Sequence, residues 1–110
     1  MSDPTPTPPA QVAIDLPPDV QVGVFADFAN VWHTPSTFVL DFVAVTQPAQ
    51  PQFDEDGTPI ATLLPGRVAS RVRIPSEQIF PVIEALQAQA DQWLAETGRE
   101  EPPDAYFPGA

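Results

Sequence analysis

Two runs of alternating residues, 20–32 and 37–46, are separated only by His33-Thr34-Pro35-Ser36. This feature constrains the chain most, because period-two alternation broken by a short proline-containing turn predicts an antiparallel hairpin. In the first run Val20, Val22, Val24, Ala26, Phe28 and Trp32 fall on one face; Gln21, Phe25, Asp27, Ala29 and Val31 fall on the other. Asn30 interrupts the apolar register and marks an expected bulge. In the second run Phe38, Leu40, Phe42 and Ala44 share one face, and Val39, Asp41, Val43 and Val45 share the other. Both faces of the hairpin are therefore apolar, and one helix can cover only one of them.

After the hairpin, residues 47–65 contain Pro48, Pro51, Pro59 and Pro65 and the run Asp54-Glu55-Asp56-Gly57. Proline lacks an amide donor and resists strand interiors, so the segment reads as a long exposed loop. Its acidic run lacks the alternating oxygen ligands and distal glutamate of a calcium-binding loop, and a solvated turn is expected. Residues 67–74 alternate again, with Val68, Ser70, Val72 and Ile74 on one face and Arg67, Arg71 and Arg73 on the other. Residues 76–97 carry the helical pattern. Ile79, Val82, Ile83, Leu86, Ala90, Trp93 and Leu94 form one stripe, Ser76 is placed to cap the start, and Gly98 suits the stop. Pro81 falls early and opposite the stripe, where it harms the helix least.

The expected fold is α+β: a three-stranded antiparallel β-meander with one C-terminal amphipathic helix on one face, dimerising through the sheet or strand edges. The expected domain spans 19–98. The proline-rich residues 1–18 and the polar residues 99–110 are expected to be flexible tails, with Tyr106-Phe107 as a docking candidate in the second. A proline-ligand reading of Pro6-Thr7-Pro8-Pro9 lacks a flanking basic residue. A folded part on the order of 75 residues buries a thin core and gains from self-association.

Charge and composition exclude whole classes of function. The formal net charge is −11, and the only strong cations are four arginines. Phosphate backbones and anionic membrane surfaces both demand clustered basic residues, so neither nucleic acid nor membrane is expected as a partner. There is no cysteine, which removes thiolate metal sites and thiol nucleophiles. Residues 1–10 have neither the basic start nor the apolar run of a secretory signal. The expected location is the cytoplasm.

Reactive constellations are scarce. His33 is the only histidine. Beside Thr34 and Ser36 it lies in the predicted turn, where turn bonding is a simpler role than triad chemistry, and a single histidine cannot anchor zinc. Asp27 and Asp41 share parity with each other and with Arg71 and Arg73, so cross-strand ion pairing explains these four better than acid–base catalysis. No catalytic residue, cofactor or metal is expected. The face holding Phe25, Val31, Val39, Val43 and Val45 has no obvious cover, and a contiguous exposed patch of that kind marks an interaction surface.

The hairpin also resembles a family. The run from Ala26 to Phe42 is similar to the pattern Tyr-Ala-Asn…Ser-Pro-x-Glu-Phe-x-Leu-Asp-Phe of the bacterial domain-of-unknown-function family 3467, through Asn30, Pro35, Phe38, Leu40, Asp41 and Phe42. Arg71-Val72-Arg73-Ile74-Pro75-Ser76 and the helix to Trp93 and Gly98 extend the resemblance over roughly residues 22–98. Thr34 stands where the family usually has serine, Thr37 stands near its usual glutamate, the 47–65 segment is longer, and Pro81 is unexpected. The resemblance implies a shape and a bacterial origin but no reaction. The expected function is a non-enzymatic interaction or assembly module, acting as a homo-oligomer, a dimer by expectation, or as a subunit of a larger bacterial complex with a protein partner not named by the sequence. A chaperone-like adaptor holding apolar peptides is the first alternative. An enzyme with an interface site built from His33, Asp27, Asp41 and the arginines is the second.

Overall fold

Residues 37–45 are apolar on both faces, and the chain uses them as a central strand. In the computed structural model, which describes residues 8–105, β1 (Phe28–His33), β2 (Thr37–Val45) and β5 (Gly66–Pro75) form an antiparallel sheet in the order β1-β2-β5. A second, two-stranded sheet joins β3 (Gln50–Phe53) to β4 (Pro59–Leu63). A 3-10 turn, Ser76–Gln78, leads into helix α1 (Ile79–Glu96). The class is α+β, with antiparallel sheets and one C-terminal helix. The described strands number five, where three were expected.

The two added strands replace the expected 47–65 loop. Prolines fit here because each strand of a two-stranded ribbon has a free edge that needs no amide donor. Pro51 pairs with Thr62, and Pro59 with Phe53. The acidic run forms the ribbon's tip. Asp54 Oδ1 accepts from the amides of Asp56 at 2.9 Å and Thr58 at 2.8 Å. Gly57 takes a positive φ of 80°, a conformation glycine reaches without steric cost.

The first strand is shorter than its alternation predicts. Pro18–Val20 form a 3-10 turn, Gly23 donates to the Val20 carbonyl at 3.1 Å, and Gly23 adopts φ 79°. Val22 is wholly exposed, and Val20 and Val24 are exposed too, so the alternation over 20–26 never joins the sheet.

Register decides which residues share a face. β1 pairs with β2 as His33↔Phe38, Val31↔Leu40 and Asn30↔Asp41. Even positions of β1 therefore face odd positions of β2. β2 pairs with β5 as Asp41↔Arg71 and Val39↔Arg73, but a bulge leaves Ala69 unpaired between Phe42↔Ser70 and Val43↔Val68. A bulge inverts facing beyond it. One sheet face thus carries Phe28, Trp32, Val39, Asp41, Val43, Val68, Arg71 and Arg73. The other carries Val31, His33, Phe38, Leu40, Phe42, Ala44, Arg67, Val72 and Ile74. The three arginines are not on one face, as expected, because the bulge sends Arg67 to the opposite side. Gly66 follows from the same crowding: a Cβ there would lie 2.8 Å from Val43 Cγ1.

The helix departs furthest from expectation, because it does not lie over the sheet. Its first residue, Ile79, is buried, but Leu86 is 64% exposed, and Ile83 and Trp93 are also exposed. Ser76 does not cap the helix. Its amide donates to the Ser36 carbonyl and its hydroxyl to the Pro35 carbonyl, both at 3.1 Å, which ties the helix start to the β1–β2 turn. Gly98, at φ 68°, ends the helix as expected, with the Arg99 amide donating to the Leu94 carbonyl at 2.9 Å. No helix among the described residues is long and apolar enough to cross a membrane.

Little apolar surface is consequently buried. Among the described residues only Val39 and Ile79 are buried hydrophobics.

Candidate interaction surface

The two sheet faces differ in how they are finished. On the Asp41 face, long side chains cover the strand backbone. Arg71 donates from Nε to Asp41 Oδ1 at 2.5 Å and from Nη2 to Oδ2 at 2.9 Å. The Trp32 indole N–H approaches Oδ2 at 3.4 Å, and the Arg71 guanidinium stands 5.8 Å from the Trp32 ring centroid. Asp41 is held below the usual carboxylate range, chiefly by the Arg71 hydrogen bond; burial opposes this, and the indole and the charges of Arg71 and Arg73 reinforce it. A bidentate pair of this kind fixes geometry as well as charge. Val39, between Trp32 and Arg73 in the ladder, is only 1% exposed.

Among the described residues the Phe42 face has no ion pair of this kind. Val31 and Val72 are exposed there, as Trp32 and Val68 are on the Asp41 face, and Leu40 and Phe42 are half-buried between Val31 and Val72. Val24 and Ala26, from the chain before β1, join Phe42, Ser70 and Val72 around an open hollow of about 300 Å³. His33 stacks on Phe38 at the turn end, with ring centroids 5.4 Å apart. The one strong cation on this face is Arg67, and none of the residues it carries is acidic.

The expected interaction residues do not form one patch. Val39 is buried rather than exposed. Val31 lies on the Phe42 face, opposite Val39, Val43 and Val45, because the hairpin register pairs it with Leu40. Phe25 lies before β1 and is exposed, while Val43 and Val45 are half-buried. Exposed Val72, which the sequence reading left out, belongs with Val31. The turn places Val31 opposite Leu40, and β5 pairs Val72 with the same Leu40.

Of the four expected ion-pairing residues, the structure joins Asp41 with Arg71. Arg73 acts on Asp41 only through its charge, and it borders a small hollow with Ser36, Thr37 and Pro75. Asp27 takes another role: its Oδ2 accepts from the Val45 amide at 2.7 Å, and its own amide donates to the Val43 carbonyl at 2.8 Å. It extends the β1–β2 ladder by one rung beyond the strand end.

The remaining polar candidates serve the backbone too. Thr34 Oγ1 donates to the Thr37 carbonyl at 3.5 Å, and the Ser36 and Thr37 hydroxyls lie 3.5 Å apart. Among the described residues no three His, Asp or Glu side chains are grouped closely enough to hold a metal ion. Tyr106-Phe107 and the Pro6-Thr7 part of the N-terminal proline segment lie outside the described residues.

Comparison with known proteins agrees with the motif over the hairpin. A family model described as "Protein of unknown function (DUF3467)" matches residues 1–99. No curated protein matches the chain. No solved structure matches it either.

Proposed function

Since the chain belongs to the DUF3467 family, whose function is unknown, we propose from its surfaces that it is a non-enzymatic assembly module, acting as a homo-oligomer within a bacterial cytoplasmic complex. One observation carries the reading. The Phe42 face and the α1 stripe are both apolar, and among the described residues each keeps large apolar side chains exposed, Val31 and Val72 on the face and Ile83, Leu86 and Trp93 on the helix. Contiguous apolar surface of this extent is characteristic of interfaces.

The non-enzymatic part rests on how the reactive residues are employed. His33 stacks, Thr34 and Ser36 finish a turn, Asp27 holds a strand amide, and Asp41 is occupied by Arg71. General acid–base or nucleophilic work needs such groups converging on a common space. The acidic, cysteine-free composition and the absence of lysine support a protein partner over a nucleic acid or lipid surface.

Light scattering combined with binding of an apolar fluorescent dye tests the proposal. Self-assembly predicts a mass above 11.9 kDa and weak dye binding, since the faces cover each other. A monomer that binds dye strongly overturns self-assembly and favours the adaptor that holds apolar peptides.

A further inference from the structure

From the connection between β5 and α1 we infer that each copy's α1 lies across the Phe42 face of a second copy, reciprocally, in a helix-exchanged dimer. This rests on the assembly reading above and names both the partner and the contact. β5 ends at Pro75, the 3-10 turn begins at Ser76, and α1 begins at Ile79. Only the three turn residues 76–78 separate strand from helix. That length falls within the roughly 2–6 residues that commonly join a strand to a helix packed on it, so length alone does not keep α1 off its own sheet. The turn is fastened instead, through the Ser76 bonds to Ser36 and Pro35. The stripe is therefore carried off its own sheet, and short tethered hinges of this kind favour exchange between copies.

The two surfaces fit in length and in charge. α1 has 18 residues, about 27 Å at helical rise. β2 has 9 residues, about 30 Å at strand rise. Residues 79–96 include Glu84, Asp91 and Glu96 and no basic residue. The Phe42 face offers Arg67, brought there by the bulge, and no carboxylate. A two-fold dimer would cover both stripes and both faces at once, since an isologous interface repeats each contact. Two helices pairing with each other would leave the sheet faces open.

The chain has no cysteine, so introduced cysteines report cleanly. Differently tagged Leu86→Cys and Val72→Cys chains are co-expressed and treated with a short bismaleimide. A second pair, Ile83→Cys with Val31→Cys, guards against one variant failing to fold, and circular dichroism monitors the helix. The expected result is a covalent product containing both tags in at least one pair, with little product joining two helix cysteines. Helix-to-helix cross-linking overturns the inference, as does an intrachain product from the Leu86→Cys/Val72→Cys double variant at monomer mass. An uncross-linked dimer overturns the exchange and leaves the assembly reading standing. An uncross-linked monomer overturns both.

Discussion

The Asp41 carboxylate and the Arg71 guanidinium meet directly across the β2–β5 ladder, through two hydrogen bonds of 2.5 and 2.9 Å. Asp41 is buried, while the Arg71 side chain is 47% exposed. The pair is therefore asymmetric. Removing the arginine strands a carboxylate, whereas removing the charge of the aspartate frees a guanidinium that already reaches water.

Arg71→Met is accordingly expected to lower the urea midpoint more than Asp41→Asn does. Equal loss from the two variants would show that the pair is not asymmetric.

Acid should weaken the fold through the same carboxylate. Its folded pKa is depressed, first by the Arg71 hydrogen bond, so the unfolded chain binds the proton more readily. The contribution is complete above the ordinary aspartate value of about 4 and is lost as pH falls through the folded value. An NMR titration should place Asp41 below that ordinary value in the wild type and higher in Arg71→Met. An unchanged value in the variant would refute the cause assigned here.

Asp27 separates a backbone role from an ionic one. Asp27→Asn retains an acceptor for the Val45 amide and should cost little. Asp27→Ala should cost about 1–2 kcal/mol in chemical denaturation. Comparable losses from both changes would restore the ionic reading.

Packing within the sheet gives two further substitutions. Val39→Ala should cost about 1–3 kcal/mol by opening a cavity. Gly66→Ala should cost about 1–3 kcal/mol by overpacking, because its new methyl meets the stiff Val43 side chain. Val12→Ala, at an exposed site before the sheet, should stay within about 0.5 kcal/mol of wild type. Thermal melts at fixed protein concentration provide the comparison.

Leu86→Asp tests the helix stripe. On a solitary helix this exposed position tolerates aspartate at a cost of about 0.7 kcal/mol or less. Within an interface, burying the charge should weaken association at least about tenfold, as measured by dilution-dependent sedimentation. Unchanged association would remove Leu86 from the interface.

Elements with strong periodicity were legible in the sequence: the hairpin turn, β2, β5, the extent of α1 and its stop at Gly98. The facing of β1 against β2 was legible too, but only through the turn. Closing the hairpin at His33↔Phe38 pairs even with odd positions, which separates Val31 from Val39. The β5 bulge at Ala69 leaves no comparable mark, so the position of Arg67 was hidden. Proline content obscured β3 and β4, because resistance to strand interiors does not extend to a ribbon with two free edges. Gly23 lies inside an alternating run, and its turn is what withdraws Val20, Val22 and Val24 from the sheet. Helix placement depended on the fastening of Ser76 to the β1–β2 turn, a feature of connection and not of periodicity.

Isotope-filtered NOE spectroscopy on a refolded equimolar mixture of labelled and unlabelled wild-type chains tests the central claim most directly, that a second copy completes this fold. The expected result is intermolecular contacts from the Ile83 and Leu86 methyls to those of Val31, Leu40 and Val72. Contacts from those helix methyls confined to their own chain, or running only to the partner's helix, would contradict it.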